Sequence, residues 1–162
     1  MAGKIALLRV GSQPISRYNV ALKAGRHVPT QTDQITDLLK RAKTIAVVGL
    51  SSSPLRPSYG VAAYMQTQGY HIIPVNPNIR GALGEKAYVS LADVPEKIDI
   101  VNIFRRAEFV PAVVEQAIAL KVPAIWMQEG VVHEVAAAQA RKVGLFVIMD
   151  HCILKEHRAR LA

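Results

Sequence analysis

The chain has 162 residues, of which 51% are hydrophobic, and a formal net charge of +8. This length is enough for one domain with a buried core. The single cysteine, Cys152, excludes an internal disulfide, and no apolar run approaches the roughly 18 residues of a membrane-spanning helix. These features predict a soluble protein of a reducing compartment, most simply the cytoplasm.

The excess positive charge lies mainly near the amino terminus. Five basic residues precede Asp33, the first acidic residue: Lys4, Arg9, Arg17, Lys23 and Arg26. We therefore expect residues 1–31 to form a basic, irregular extension and residues 32–162 to form the domain. An acid-free leader is also compatible with an organellar presequence and a matrix location. Because the rest of the chain is only mildly basic, binding to nucleic acid through a folded basic face is disfavoured.

Apolar runs alternate with helical patterns from residue 32 onward. The predicted strands are 45–48, 71–76, 98–104, 124–127 and 145–149. The predicted helices are one starting from Thr32 or Asp33 as N-cap, one from about Ser58 to Gly69, and those at 108–120, 133–143 and 152–161. A helical turn is expected at 91–93 and an irregular connection at 77–84. Five apolar strands alternating with helices predict a Rossmann-like, doubly wound α/β sheet of mainly parallel strands, with helices on both faces.

Ligands of doubly wound sheets bind outside the carboxyl ends of the strands. The five predicted ends offer residues 49–53, 76–78, 104–106, 128–130 and 150–152. In the first loop Gly49 permits a tight turn, and the serines and loop amides can donate hydrogen bonds to oxygens. The helix that begins near Ser58 directs its positive end at the same place. This pattern predicts a phosphate-binding loop.

The details of the loops narrow the class of nucleotide. The first loop lacks Gly-x-Gly-x-x-Gly, since serines 51–53 occupy the place of the second glycine, and there is no P-loop sequence for an ATPase. The second strand ends in Asn76-Pro77-Asn78 rather than in an acid that would hold a free ribose hydroxyl, and Arg80 lies nearby. Coenzyme A and NADP remain as candidates.

Six stretches together carry a resemblance to a known family. They are residues 45–51 with Pro54, Arg56 and Ser58; residues 73–77; residues 91–93; residues 104–106; residues 126–131; and Met149-Asp150-x-Cys152. Over residues 33–161 the chain resembles the small stand-alone CoA-binding proteins, whose domain also forms the amino-terminal part of the succinyl-CoA synthetase α subunit. The sequence departs from that pattern at Asn78, Asn102, Phe109 and His151.

The resemblance implies a Rossmann-like domain that holds CoA. It implies Gly49 and Ser51 to Ser53 at the phosphates, Asn76 and Pro77 near the adenosine, and Phe104 to Arg106 on the opposite wall. Together with the strand-end argument, it gives the following candidate ligand-binding residues: Gly49, Ser51, Ser52, Ser53, Pro54, Arg56, Ser58, Asn76, Pro77, Arg80, Phe104, Arg105, Arg106, Gln128, Glu129 and Cys152.

Several of these side chains also have structural interpretations. Adjacent arginines at a strand end diverge, so we expect one of Arg105 and Arg106 at the ligand and the other in solvent. The alternative role of Gln128 and Glu129 is to close a turn. Cys152, at a helix start, can attack a thioester or serve as a small buried residue. The five histidines show no metal-ligand spacing, and Trp126 is expected in the core.

No nucleophile–base triad, carboxylate pair or metal cluster can be assembled from the sequence. The histidine domain that carries phosphoryl chemistry in the synthetase would begin where this chain ends. We therefore predict a non-enzymatic module that binds CoA or acyl-CoA. Two alternatives remain: an NADP-dependent oxidoreductase, and a regulatory or scaffold protein that uses its basic leader or the Arg158-Ala159-Arg160 tail. Self-association into a homo-oligomer is left open.

Overall fold

The computed structural model describes residues 28–162, so residues 1–27 of the predicted basic extension lie outside the described part. The chain divides into two units, residues 1–34 and 35–162. Helix α1 runs over Gln31–Arg41. Its start differs from the prediction, because Thr30 rather than Thr32 or Asp33 caps it. The Thr30 hydroxyl accepts from the Asp33 amide at 3.2 Å, and the Asp33 carboxylate accepts from the Thr30 amide at 2.9 Å.

Five parallel strands form the central sheet: Thr44–Val48 (β1), His71–Val75 (β2), Ile100–Ile103 (β5), Ala124–Met127 (β6) and Phe146–Ile148 (β7). Their order across the sheet is β2-β1-β5-β6-β7. The remaining α-helices are α2 at Pro57–Thr67, α3 at Val110–Ala119, α4 at Glu134–Lys142 and α5 at Ile153–Leu161. Short 3₁₀ helices cover Leu91–Asp93 and Ala107–Phe109. The predicted Rossmann-like fold class is confirmed.

Side chains of successive strand residues enter two different cores, one on each face of the sheet. In β1, Ala46 and Val48 belong to the core that contains α3 and α4. Ile45 and Val47 belong to the core that contains α1, α2 and α5. Because both faces of every central strand are covered, the strands read as uninterrupted apolar runs.

One connection differs from the prediction. Residues 77–84, expected to be irregular throughout, lead into an antiparallel hairpin of β3 (Gly81–Ala82) and β4 (Glu85–Lys86). Its two-residue turn has positive φ at both positions, 56° at Leu83 and 79° at Gly84. The Gln66 amide donates to the Leu83 carbonyl oxygen at 3.0 Å and ties this turn to α2. Two-residue strands carry no periodicity, so the sequence pattern did not reveal them.

Candidate nucleotide-binding site

The strand order creates a crevice between β1 and β5. The chain leaves β1 into α2 on one face of the sheet, and it leaves the neighbouring β5 into α3 on the other face. The two connections therefore diverge above the carboxyl ends of the strands. This is the topological switch point at which open α/β sheets bind ligands.

The loop between β1 and α2, residues 49–56, contains three serines, and we call it the serine loop. The Ser58 hydroxyl accepts from the Ser51 amide at 3.0 Å, and the Ser51 hydroxyl accepts from the Ser53 amide at 3.1 Å. The Asn76 side-chain amide donates to the Leu50 carbonyl oxygen at 3.0 Å. The end of β2 therefore braces the loop that follows β1, as expected for a preformed site.

Gly49 allows this loop to lie directly against the end of β5. Its φ is +88°, a conformation that side-chain-bearing residues rarely adopt. A Cβ added to Gly49 would lie 2.4 Å from the Phe104 carbonyl oxygen and 2.9 Å from Cδ of Arg105. The site therefore depends on a glycine at this position for two separate reasons, backbone conformation and space.

An open cleft of about 390 Å³ lies over the loop. We call it the loop cleft; it is lined by Gly49, Ser51, Arg56, Pro57, Ser58 and Phe104. The amino end of α2 faces this region with no acidic residue in its first turn and no side-chain cap on its amides. The uncompensated helix dipole favours an anion at this end of the helix.

A second cavity, of about 180 Å³, lies on the other side of the crevice. We call it the apolar groove; its lining includes Val48, Val75, Pro77, Val89, Ser90, Leu91, Arg105, Phe109, Ala112, Val113 and Gln116. The guanidinium carbon of Arg105 lies 4.4 Å from the centre of the Phe109 ring. The groove therefore presents apolar walls and one stacked cation, which suits a flat aromatic group.

Four arginines follow the ends of β1, β2 and β5, namely Arg56, Arg80, Arg105 and Arg106. Within residues 28–162, none of the four guanidinium groups forms an ion pair with a carboxylate. Arg56 lines the loop cleft and Arg105 lines the apolar groove. Arg80 and Arg106 are exposed and line neither cavity. This edge of the sheet is therefore positively charged without internal compensation.

The other predicted site residues have varied surroundings. Ser52 and Pro54 are exposed in the loop, whereas Ser53 is partly buried and its hydroxyl accepts from the Leu55 amide at 3.4 Å. Pro77 lines the apolar groove. Cys152, a free and partly buried cysteine, is the N-cap of α5 without a side-chain capping bond.

The end of β6 is structurally occupied. Gln128 is 3% exposed, and its amide donates to the side-chain oxygen of the buried Asn102 at 2.8 Å. Glu129 is exposed and pairs with the Lys155 ammonium at 2.6 Å; this hydrogen bond raises the pKa of Lys155. The structure thus gives both side chains partners within the chain.

Several residues of the apolar groove were not predicted from the sequence. Val89, Ser90 and Gln116 come from segments that are not strand ends, and Phe109 was treated only as a departure from the family pattern. What marks these residues in the structure is the exposure of apolar side chains: Val89 is 66% exposed and Phe109 is 43% exposed. Exposure is not visible in a sequence, and neither residue lies in a periodic pattern that marks it.

Two features are absent from residues 28–162. No group of three or more His, Cys, Asp or Glu side chains in this part could hold a metal ion. Within the same residues, every helix is too short or too polar to cross a bilayer.

Comparisons with known proteins agree with this geometry. A family model described as "CoA binding domain" matches residues 43–158. The chain is 48% identical to the uncharacterized protein YneT of Bacillus subtilis over 124 residues, which cover 76% of this chain and 92% of YneT. It is 33% identical over 88 residues to the acetate–CoA ligase [ADP-forming] I subunit alpha of Pyrococcus furiosus, covering 49% of this chain but only 19% of that subunit.

A solved structure of similar size points the same way. It is described as a hypothetical protein from Pyrococcus horikoshii OT3 and superposes with a TM-score of 0.80 at 33% identity, covering 85% of this chain and 99% of that one. The resemblance to small stand-alone CoA-binding proteins, inferred from six sequence stretches, is confirmed. The chain belongs to the CoA binding domain family.

Proposed function

We propose that this protein binds CoA or an acyl-CoA at the carboxyl edge of its sheet, and that it acts as a binding module without turnover of its own. The observation that carries the proposal is the amino end of α2, which has no acidic residue and no side-chain cap and lies beside the serine loop. The family supports CoA as the ligand class.

The loop cleft suits the diphosphate of CoA. Beside Gly49, the amide of Ser52 and the hydroxyls of the three loop serines (Ser51, Ser52 and Ser53) donate to the phosphate oxygens, and Arg56 supplies a full charge. Because the loop is already held by hydrogen bonds to Ser58 and Asn76, little of it has to be ordered on binding.

The apolar groove suits the adenine ring. Pro77 and Phe109 offer apolar surfaces, and Arg105 stacks on Phe109 with its guanidinium group near the mouth of the crevice. Asn76 and Pro77 then lie near the adenosine, and Arg80 is the nearest cation in sequence for its 3′-phosphate. CoA carries three phosphate groups, which fits four arginines without carboxylate partners.

The NADP alternative lacks specific support, since the family is one of CoA binding. The scaffold alternative depends partly on a leader that lies outside the described residues. Calorimetric titration with CoA and with NADP separates the ligands directly. We expect saturable binding of CoA and weaker or no binding of NADP.

The same titration tests the loop. Arg56→Ala removes one charge-assisted contact, which is worth about 1.5–3 kcal/mol, so we expect CoA affinity to fall about 10- to 100-fold. Arg41→Ala is the matched control, because Arg41 is an exposed arginine at the end of α1, before β1 begins at the opposite edge of the sheet. A folded wild-type protein that binds no CoA refutes the proposal, and equal losses in both variants refute the role of Arg56.

A further inference from the structure

A histidine–carboxylate pair lies at the carboxyl end of β7, outside both cavities. Nδ1 of His151 lies 3.0 Å from Oε1 of Glu156. The Glu156 side chain is 17% exposed, whereas that of His151 is 46% exposed. The other carboxylate oxygen, Oε2, forms an ion pair with Arg160 one turn later in α5. The carboxylate is therefore fixed between a cation and the imidazole ring.

This contact determines which ring nitrogen is available. A carboxylate only accepts hydrogen bonds, so Nδ1 of the neutral ring carries the proton that points at Glu156. Nε2 is left as a lone-pair acceptor on a half-exposed ring. A ring held in one tautomer by a carboxylate is prepared to take up a proton at its other nitrogen.

The backbone around His151 is also fixed. The indole Nε1 of Trp126 donates to the His151 carbonyl oxygen at 2.7 Å, and the His151 amide donates to the Met127 carbonyl oxygen at 3.4 Å. Trp126 is completely buried in the core that contains α2 and α5. His151 therefore lies on the side of the sheet from which α2 rises over the serine loop.

The distance from the loop to His151 matches the arm of CoA. β1 and β7 are separated by three interstrand spacings, or about 14 Å. The pantetheine arm has about 13 covalent bonds from phosphorus to sulfur, as many as roughly four residues of polypeptide backbone. Fully extended, it is therefore about 15 Å long. A CoA whose diphosphate is held at the serine loop can place its thiol at the end of β7.

We propose that His151, held by Glu156, accepts the proton of the thiol of bound CoA. This inference rests on the proposed function. In the step the S–H bond breaks, an Nε2–H bond forms, and the electron pair stays on sulfur, so the products are a thiolate and an imidazolium whose charges stabilise each other. No other reactant is consumed. The thiolate fraction of the bound cofactor is thereby raised.

The charges around the pair are compatible with this role. Arg160 neutralises Glu156, and Lys155 pairs with Glu129. Asp150 accepts from the Gly130 amide at 2.7 Å, which occupies one of its oxygens. Cys152, which directly follows His151 in the sequence, carries a second thiol. The experiment must therefore distinguish this thiol from that of CoA.

The test follows the ultraviolet absorbance of thiolate as a function of pH in protein saturated with CoA. The same titration with S-methyl-CoA, which has no free thiol, is subtracted. The subtraction cancels Cys152 and the tyrosines. We expect the thiol pKa of bound CoA to lie about one unit below its free value, near that of a free cysteine, which gives nearly tenfold more thiolate at pH 7. His151→Gln is expected to restore the free value, and Glu156→Gln to restore most of it.

Calorimetry of the same proteins separates this inference from the proposed function. His71→Gln is the matched control, because Nε2 of His71 lies 3.1 Å from Glu96 at the amino-terminal start of β2. It should change neither affinity nor thiol pKa. CoA binding with the same thiol pKa in wild type and His151→Gln overturns the role of His151 and leaves the proposed function standing. Absence of CoA binding overturns both.

Discussion

Replacing Gly49 by alanine tests how the loop and β5 fit together. The substitution places a methyl group 2.4 Å from the Phe104 carbonyl oxygen, which is backbone and cannot move alone. It also forces a residue with a Cβ into φ +88°, which costs about 1–2 kcal/mol. Displacing β5 or the loop adds about 1–3 kcal/mol, as overpacking does elsewhere. The expected loss of unfolding free energy is therefore about 2–5 kcal/mol.

Gly69→Ala separates the two contributions. Gly69 has a similar φ of +95°, but a Cβ there meets no atom within 4 Å, so only the conformational cost of about 1–2 kcal/mol applies. Equilibrium unfolding in urea gives both values on one scale, provided that the slope of the transition is unchanged. If the two variants lose the same free energy, the close approach of Gly49 to Phe104 is not a constraint and the reasoning fails.

Three buried polar groups give further predictions. Burial lowers the pKa of His157 in the folded protein below its unfolded value near 6.5. The contribution of the neutral ring to the free energy of unfolding is therefore complete above that value and is lost as the pH falls below it. In His157→Gln, the free energy of unfolding should depend less on pH between about 7.5 and 5. Tyr70→Phe removes a 2.6 Å hydrogen bond to the Leu39 carbonyl oxygen and should cost about 1–3 kcal/mol in urea unfolding, whereas no loss would mean that water replaces the hydroxyl. Gln128→Leu leaves the Asn102 oxygen without its partner and should cost a similar amount, and Gln128→Leu with Asn102→Leu should recover part of it.

Much of the fold could be predicted from local patterns. The five strands are apolar runs bounded by glycine, proline or polar residues, and the run at 124–127 matches β6 without error. The ends of β5 differ, since 98–104 was predicted and Ile100–Ile103 is observed. The difference at the start of the strand has a cause distant in sequence. The Asp99 carboxylate accepts from the amides of Lys43 and Thr44, at 2.8 and 3.1 Å, so Asp99 holds the start of β1 and lies outside β5.

The site was predictable only where it is local in sequence. Gly49, Ser51, Arg56 and Ser58 lie within ten residues, and the structure brings them to one cleft with Phe104. The apolar groove depends on the order of the strands, which places the 3₁₀ turns at 91–93 and 107–109 beside β1 and β2. Strand order is decided by long-range packing, and no periodicity in the sequence encodes it.

The contact between His151 and Glu156 at the end of β7 also could not be predicted from the sequence. His151 and Glu156 are five residues apart, a spacing that does not place two side chains on one face of a regular helix. They meet because the N-cap Cys152 has extended backbone, which leaves His151 outside α5, while Glu156 lies in the first turn of that helix. Asn102 and Gln128 meet across two neighbouring strands, again by register alone.

The two cavities of the site are mechanically connected through one glycine. Gly49 belongs to the loop cleft, Arg105 lines the apolar groove, and the space for a Cβ at Gly49 is occupied by Phe104 and Arg105. A ligand that moves the loop must therefore also move the end of β5, since the Phe104 amide donates to the Val48 carbonyl oxygen at 2.8 Å. The proposed binding of phosphate on one face of the sheet and of the ring on the other is therefore expected to be coupled, so fragments of CoA should bind cooperatively. Adenosine should bind more tightly when pyrophosphate is present, and independent binding of the two in calorimetry would show that the connection is not energetic.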